Sequence, residues 1–178
     1  MPRDIQPLSR TRKTQILRLA RKHPELQPVL SERGQALFIE PNITDRGQPE
    51  GADQAVVGVY DYTNDRSLVA LVDPKRGEVI SVEETAAKFQ LNDEERAEAE
   101  RLAGADERVQ DFLAGRPLQA LTRLYFPPQA SGHELSHRYA VVFIRPDNQA
   151  RRYAVVDLSE GIVVDVLGPE ALNAEEPG

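Results

Sequence analysis

By type and spacing, the residues of this chain best suited to chemistry are His133, Glu134 and His137, which form His133-Glu134-Leu135-Ser136-His137. On a helix, H-E-x-x-H sets two imidazoles one turn apart to hold a zinc ion while the glutamate acts as base. The chemistry requires the helix, and the flanking residues argue against one. Pro127, Pro128 and Gly132 precede the stretch, and Tyr139 to Ile144 after it reads as a strand. In an extended chain, residues four apart stand about 13 Å from each other along one face, too far to share a metal ion. The expectation is a loop-to-strand junction with two exposed histidines, Arg138 just beyond them, and neither metal nor cofactor. A zinc hydrolase through His133, Glu134 and His137 is the enzyme alternative. No G-x-S-x-G elbow or Walker loop occurs. The absence of Cys removes thiol catalysis, thiolate zinc sites and disulfides.

A second cluster is one of charge. Arg10, Arg12, Lys13, Arg18, Arg21 and Lys22 surround an apolar stripe of Ile16, Leu19, Ala20 and Leu26 at helical spacing, with Ser9 placed as N-cap. A later helix has the opposite sign: Asn92 and Glu95 suggest a capping box, and Asp93, Glu94, Glu95, Glu98 and Glu100 crowd its first turns, where the helix dipole favours them. Such faces serve as solvated surface, as a polyanion site, or as complementary docking surfaces between helices or protomers. The six basic residues are the candidate interaction site, for self-association or for a protein partner.

The elements that position these residues come in duplicate. Ala55 to Val82 returns as Tyr139 to Val166 at an ungapped shift of 84 places, with Val57 on Val141, Asn64 on Asn148, Ala70 on Ala154, Asp73 on Asp157, Gly77 on Gly161 and Val82 on Val166. Each copy reads as three antiparallel strands broken by turns, Thr63-Asn64-Asp65 and Pro74-Lys75-Arg76-Gly77 in the first. Upstream, Leu8 to Leu30 matches Leu91 to Leu113 at a shift of 83: two helical patterns, broken at His23-Pro24 and at Gly104 to Glu107. Pro24 suits a first helical position and Asp106 an N-cap. A lone strand follows each helix, Ala36 to Glu40 and Ala120 to Phe126. The fold class is α+β: two tandem repeats over 5–84 and 85–168, each a helix laid on a four-stranded antiparallel sheet, and a frayed tail over 169–178. Predicted core residues are Leu19, Leu26, Leu30, Val57, Val72, Val79 and Val82, with Leu102, Val109, Leu113, Val141, Val156, Val163 and Val166 as their counterparts.

Composition sets outer limits. With 40% apolar residues and no apolar run near 18 residues, the chain reads as an ordinary protein with no membrane span. Met1-Pro2-Arg3-Asp4 lacks a signal-peptide core, so a cytoplasmic location is expected, in which the Asn42-Ile43-Thr44 sequon would go unused. The net charge of −7 argues against a general nucleic-acid binder.

Two resemblances rest on particular residues. Gln54-Ala55-Val56-Val57-Gly58 has the Q-x-V-x-G form of cystatins, themselves a helix on an antiparallel sheet, but the chain has no Trp for the second loop of a cystatin wedge. Ala105 to Leu113, the strand ending in Pro127-Pro128, Tyr139 to Phe143 and Val156-Asp157 before a Gly turn resemble the N-terminal non-catalytic domains of copper amine oxidases. That family carries two such domains in tandem ahead of a catalytic β-sandwich, and the resemblance covers residues 8–168. Its quinone arises from Tyr in Asn-Tyr-Asp/Glu, and its copper is held by three His, two in H-x-H. Here Val59-Tyr60-Asp61-Tyr62 puts Val where Asn is needed, and no H-x-H occurs. The resemblance thus implies an accessory pair of domains without copper, quinone or amine oxidation: a non-enzymatic structural or interaction module. Met1 and the acidic tail favour a complete small protein. Protease inhibition through Gln54 to Gly58 is the alternative binding function.

Overall fold

The computed structural model describes residues 7–42, 54–127, 136–145 and 151–169. The chain divides into two compact units, Met1–Phe89 and Gln90–Gly178. In the first, Ser9 opens helix α1 (Arg10–Ala20), its hydroxyl oxygen accepting the Arg12 N–H at 3.3 Å. Helix α2 (Leu26–Ser31) follows a turn in which the His23 carbonyl accepts the N–H groups of Leu26 and Gln27; Pro24, expected at a first helical position, lies instead in that turn, two residues before the helix, where its lack of an N–H costs no bond. Strands β1 (Gly34–Pro41), β2 (Ala55–Asp61), β3 (Arg66–Asp73) and β4 (Glu78–Thr85) pair antiparallel in that order.

The second unit repeats the plan. Asn92 and Glu95 make the expected capping box on α3 (Asp93–Ala105), the Asn92 side chain accepting the Glu95 N–H at 2.8 Å and the Glu95 carboxylate accepting the Asn92 N–H at 2.9 Å. Asp106 caps α4 (Glu107–Leu113), accepting the Arg108 N–H at 3.0 Å. Strands β5 (Ala120–Tyr125), β6 (Tyr139–Ile144), β7 (Arg152–Asp157) and β8 (Ile162–Leu167) again pair antiparallel in chain order.

In the first unit Ile16, Ala20, Leu26 and Val29 from the helices bury against Ala55, Val57 and Val59 of β2 and Leu68, Ala70 and Val72 of β3. Leu19, Leu30, Val79 and Val82 close the edges of this core while partly exposed. In the second unit the fully enclosed residues are Ala99, Ala103 and Val109 on the helices with Ala140, Val142, Ile144, Ala154 and Val156 on the sheet.

The ungapped 84-place match fails at one strand. Val57 stands opposite Ala70, but the residue opposite Ala154 is Val142, not Val141. Strand β6 is therefore 85 places from β2 while β7 remains 84 from β3, and the connection between them is one residue shorter. A slip of one residue turns every side chain of a strand to the other face. Val142 takes the place expected for Val141, which lies on the face away from α3.

Elsewhere the duplication reaches the backbone irregularities. A bulge interrupts the β3–β4 ladder between Leu71 and Val72, and another interrupts β7–β8 between Val155 and Val156, each 84 places from the other. Ile80 and Val164 are the extra residues. The turns just before them match too. Asp73 accepts the N–H groups of Lys75 and Arg76 through one side-chain oxygen, and Asp157 those of Ser159 and Glu160, at 2.9 and 3.0 Å in both cases. Gly77 and Gly161 close the turns at φ of 74° and 71°, where a side chain would be strained.

The outer face of the first sheet is covered near its middle. Phe38 lies directly over Gly58, where a β-carbon would meet its ring at 2.0 Å, and Phe89 packs edge-on against Phe38 at 5.0 Å. Tyr60, fully enclosed, donates its hydroxyl to Asp65 at 3.1 Å.

Candidate functional site

A buried polar cluster lies at one end of the second unit. It is assembled from the start of α3, the residues leading into β6 and the β7–β8 turn. Glu95, Ala99 and Ala103 share the buried face of α3 at four-residue spacing. That spacing carries a carboxylate into the helix–sheet interface, where a charge needs a partner. Arg138 supplies it. Its Nε donates to Glu95 Oε1 and its Nη2 to Glu95 Oε2 at 2.9 Å, with both side chains almost wholly enclosed. Nη2 also donates to the Gln90 carbonyl at 3.1 Å. Glu95 Oε2 thus serves the capping box and the ion pair together, tying the helix start to the sheet.

The main chain of Arg138 extends the network. Its N–H donates to Ser159 Oγ at 3.1 Å, and its carbonyl accepts the Leu158 N–H at 2.8 Å. His137, one residue earlier, sets Nδ1 2.7 Å from Asp157 Oδ2. A carboxylate accepts only, so Nδ1 carries the proton of this bond. The expectation of an exposed His137 is corrected: its side chain is 15% exposed, because the Asp157 carboxylate draws the ring onto the β7–β8 turn. Arg138, read from sequence as a charge beside the histidines, is 1% exposed. His133 and Glu134 lie outside the described residues. His137 stands in no helix, two places before β6.

A carboxylate orienting an imidazole is half of a hydrolytic triad. The nearest hydroxyl on the turn, Ser159 Oγ, is 2% exposed and accepts from the backbone of Arg138. Asp157 itself has a counterpart in Asp73, which makes the same turn without a histidine, so its position belongs to the repeated fold. Among the described residues no three His, Asp or Glu side chains converge as a metal site would require.

The remaining motifs fall on strands. Gln54 immediately precedes β2 and its side chain accepts from Asn42 at 3.1 Å. Ala55 to Gly58 are paired on both sides, Val57 with Ile39 of β1 and with Ala70 of β3. A cystatin wedge needs free backbone, and here it is bonded within the sheet. Tyr60-Asp61-Tyr62 ends β2. Asp61, 1% exposed, accepts from the Asn64 and Arg66 side chains at 2.8 and 3.1 Å and from the N–H groups of Thr63 and Asn64. Burial alone would raise its pKa; the hydrogen bonds from Asn64, Arg66 and Thr63 outweigh that and hold it below the ordinary carboxylate range.

Of the six basic residues, Arg10, Lys13 and Arg18 are exposed on α1, Arg12 is half-buried, and Arg21 and Lys22 are exposed in the turn after it. The structure thus spreads them along one helix and its end. No helix among the described residues is long and apolar enough to cross a membrane. Comparison with protein-family models finds none that matches the chain, and a search of curated proteins finds no match.

Sequence reasoning missed Arg138, Glu95 and Ser159 as one unit. The signal was present in the spacing of Glu95, Ala99 and Ala103, which makes Glu95 an inward-facing acid, and in Arg138 as a charge set against the apolar run of β6.

Proposed function

We propose that the chain is a non-catalytic interaction module, a tandem pair of cystatin-like domains of the kind that copper amine oxidases carry ahead of their catalytic sandwich. The observation that carries the reading is the repeated architecture: two four-stranded antiparallel sheets in chain order, each with helices on one face and a bulge at an equivalent place in its last strand. The polar groups of the second unit support it as well. Glu95, Arg138, Asp157 and Ser159 bond to one another and to the backbone of the elements they join, which is how a fold is held rather than how a substrate is turned over.

The test is an assay of the purified chain, after incubation with copper or with zinc, for amine-dependent peroxide formation and for hydrolysis of a casein substrate. Neither activity is expected. Turnover that is lost on His137→Ala and retained in a folded variant would return the chain to the hydrolases; peroxide formation would return it to the oxidases. Papain-like proteases should likewise be unaffected, and an inhibition constant at or below about 1 μM would make the Gln54–Gly58 reading the right one.

A further inference from the structure

We infer that the solvent face of α1 docks an acidic segment of a partner protein, a short run of Asp and Glu side chains; this rests on the interaction-module reading and names the partner's chemistry. Arg10 to Lys22 contains six cations and no acid. Arg10, Lys13, Arg18, Arg21 and Lys22 are exposed, and none makes an ion pair with a described residue. The arginines of α3 behave differently: Arg96 bridges Asp93 and Arg101 bridges Glu98, both at 2.6 Å.

The arrangement at the start of α1 works against the helix. Cations in a first turn oppose the helix dipole, and α1 has Arg10, Arg12 and Lys13 there with no acid. Arg10 with Lys13, Arg18 with Arg21, and Arg18 with Lys22 are like-charge neighbours at helical spacing, which repel. The first-turn cations, which the isolated helix would be steadier without, are matched by charge brought from outside. Arg10 to Arg21 spans about 16 Å along the axis, enough for several carboxylates of an extended or helical segment. Guanidinium groups bind carboxylates through paired hydrogen bonds, and three of the five exposed cations are Arg.

Other polyanions fit less well. The chain carries −7 overall, which repels a long nucleic acid beyond this face, and α1 has no aromatic side chain on which a base could stack. Among the described residues the large exposed apolar side chains, Ile80, Leu121, Phe126 and Ile162, are all on or beside strands, so α1 has nothing to insert into a bilayer. A second copy offers a sparser acidic face through α3, since Glu95 is buried on Arg138, Glu100 accepts the Thr122 hydroxyl at 2.7 Å, and of the exposed acids Asp93, Glu94 and Glu98 the first and last share their charge with Arg96 and Arg101.

The test uses the full chain and a fluorescein-labelled peptide of alternating Glu and Asp, read by anisotropy at about 0.15 M salt. Three proteins are compared: wild type; Arg10→Glu with Arg18→Glu and Arg21→Glu; and a control of equal net charge, Arg123→Glu with Arg145→Glu and Arg151→Glu, at exposed positions of the second unit. Binding by wild type and control with a Kd on the order of 100 μM or tighter is expected, weakened at least tenfold by the α1 variant. Circular dichroism should show the α1 variant still folded at the assay temperature, since Arg10→Glu suits the first turn while Arg18→Glu and Arg21→Glu oppose the dipole at the other end. No peptide binding by wild type, or equal loss in the control, overturns the inference. So does tighter binding of a single-stranded oligonucleotide or of anionic vesicles, or a wild-type dimer that the α1 variant abolishes. Each of those failures leaves the non-catalytic reading standing, because turnover alone decides that one.

Discussion

Arg138 shows how much a single buried charge can commit. Its guanidinium holds Glu95 and the Gln90 carbonyl while its backbone holds Ser159, so removing the side chain strands a carboxylate inside the second unit. Arg138→Met is expected to destabilise the protein by about 3–5 kcal/mol, and adding Glu95→Gln should restore much of that loss, because a pair removed together leaves less charge unpaired. Urea unfolding of the two variants measures it. Asp61 makes a prediction in pH. Its folded pKa lies below the unfolded value, so its contribution is present above the unfolded pKa and is lost as pH falls through the folded one. Asp61→Asn should therefore lower stability near neutrality while flattening the acid limb of the stability curve, as thermal melts from pH 7 down to about 2 would record.

At the scale of elements, capping chemistry was legible because it is local: Ser9, Asn92 with Glu95, and Asp106 each act on an N–H group two or three residues away. The strands and turns were legible for the same reason, through Val-rich runs bounded by Asp and Gly. Register was not. Val141 and Val142 are equally apolar, both are buried, and only their partners Val155 and Ala154 decide which faces the helix. The cluster at Arg138 was hidden for a related reason, since residues 95, 138 and 159 meet only after the sheet has formed. Leu26, fully buried beneath the helix break, should cost about 2–5 kcal/mol when truncated to Ala. Gly58→Val should push the Phe38 ring from its seat and cost about 1–3 kcal/mol, less in a Phe38→Ala background, where the clash is gone. A double-mutant cycle in urea checks the coupling.

At the scale of the whole molecule, the two sheets differ at their first strands. The β1 ladder is interrupted between Ala36 and Phe38, whereas β5 pairs with β6 without a break from Ala120 to Tyr125. On their other flank both sheets end in a bulged ladder. Strand β5 is thus the straight outer strand of its sheet, with Leu121 54% exposed on it and Phe126 62% exposed just past its end. Straight, apolar outer strands template the addition of further chains, and a charged side chain among them discourages it. Arg123, exposed between Leu121 and Leu124, is the residue placed to do so. The consequence is one of shelf life: Arg123→Val should leave the native state nearly as stable yet shorten the lag before thioflavin-positive fibrils form on warm incubation, and Leu121→Lys should lengthen it.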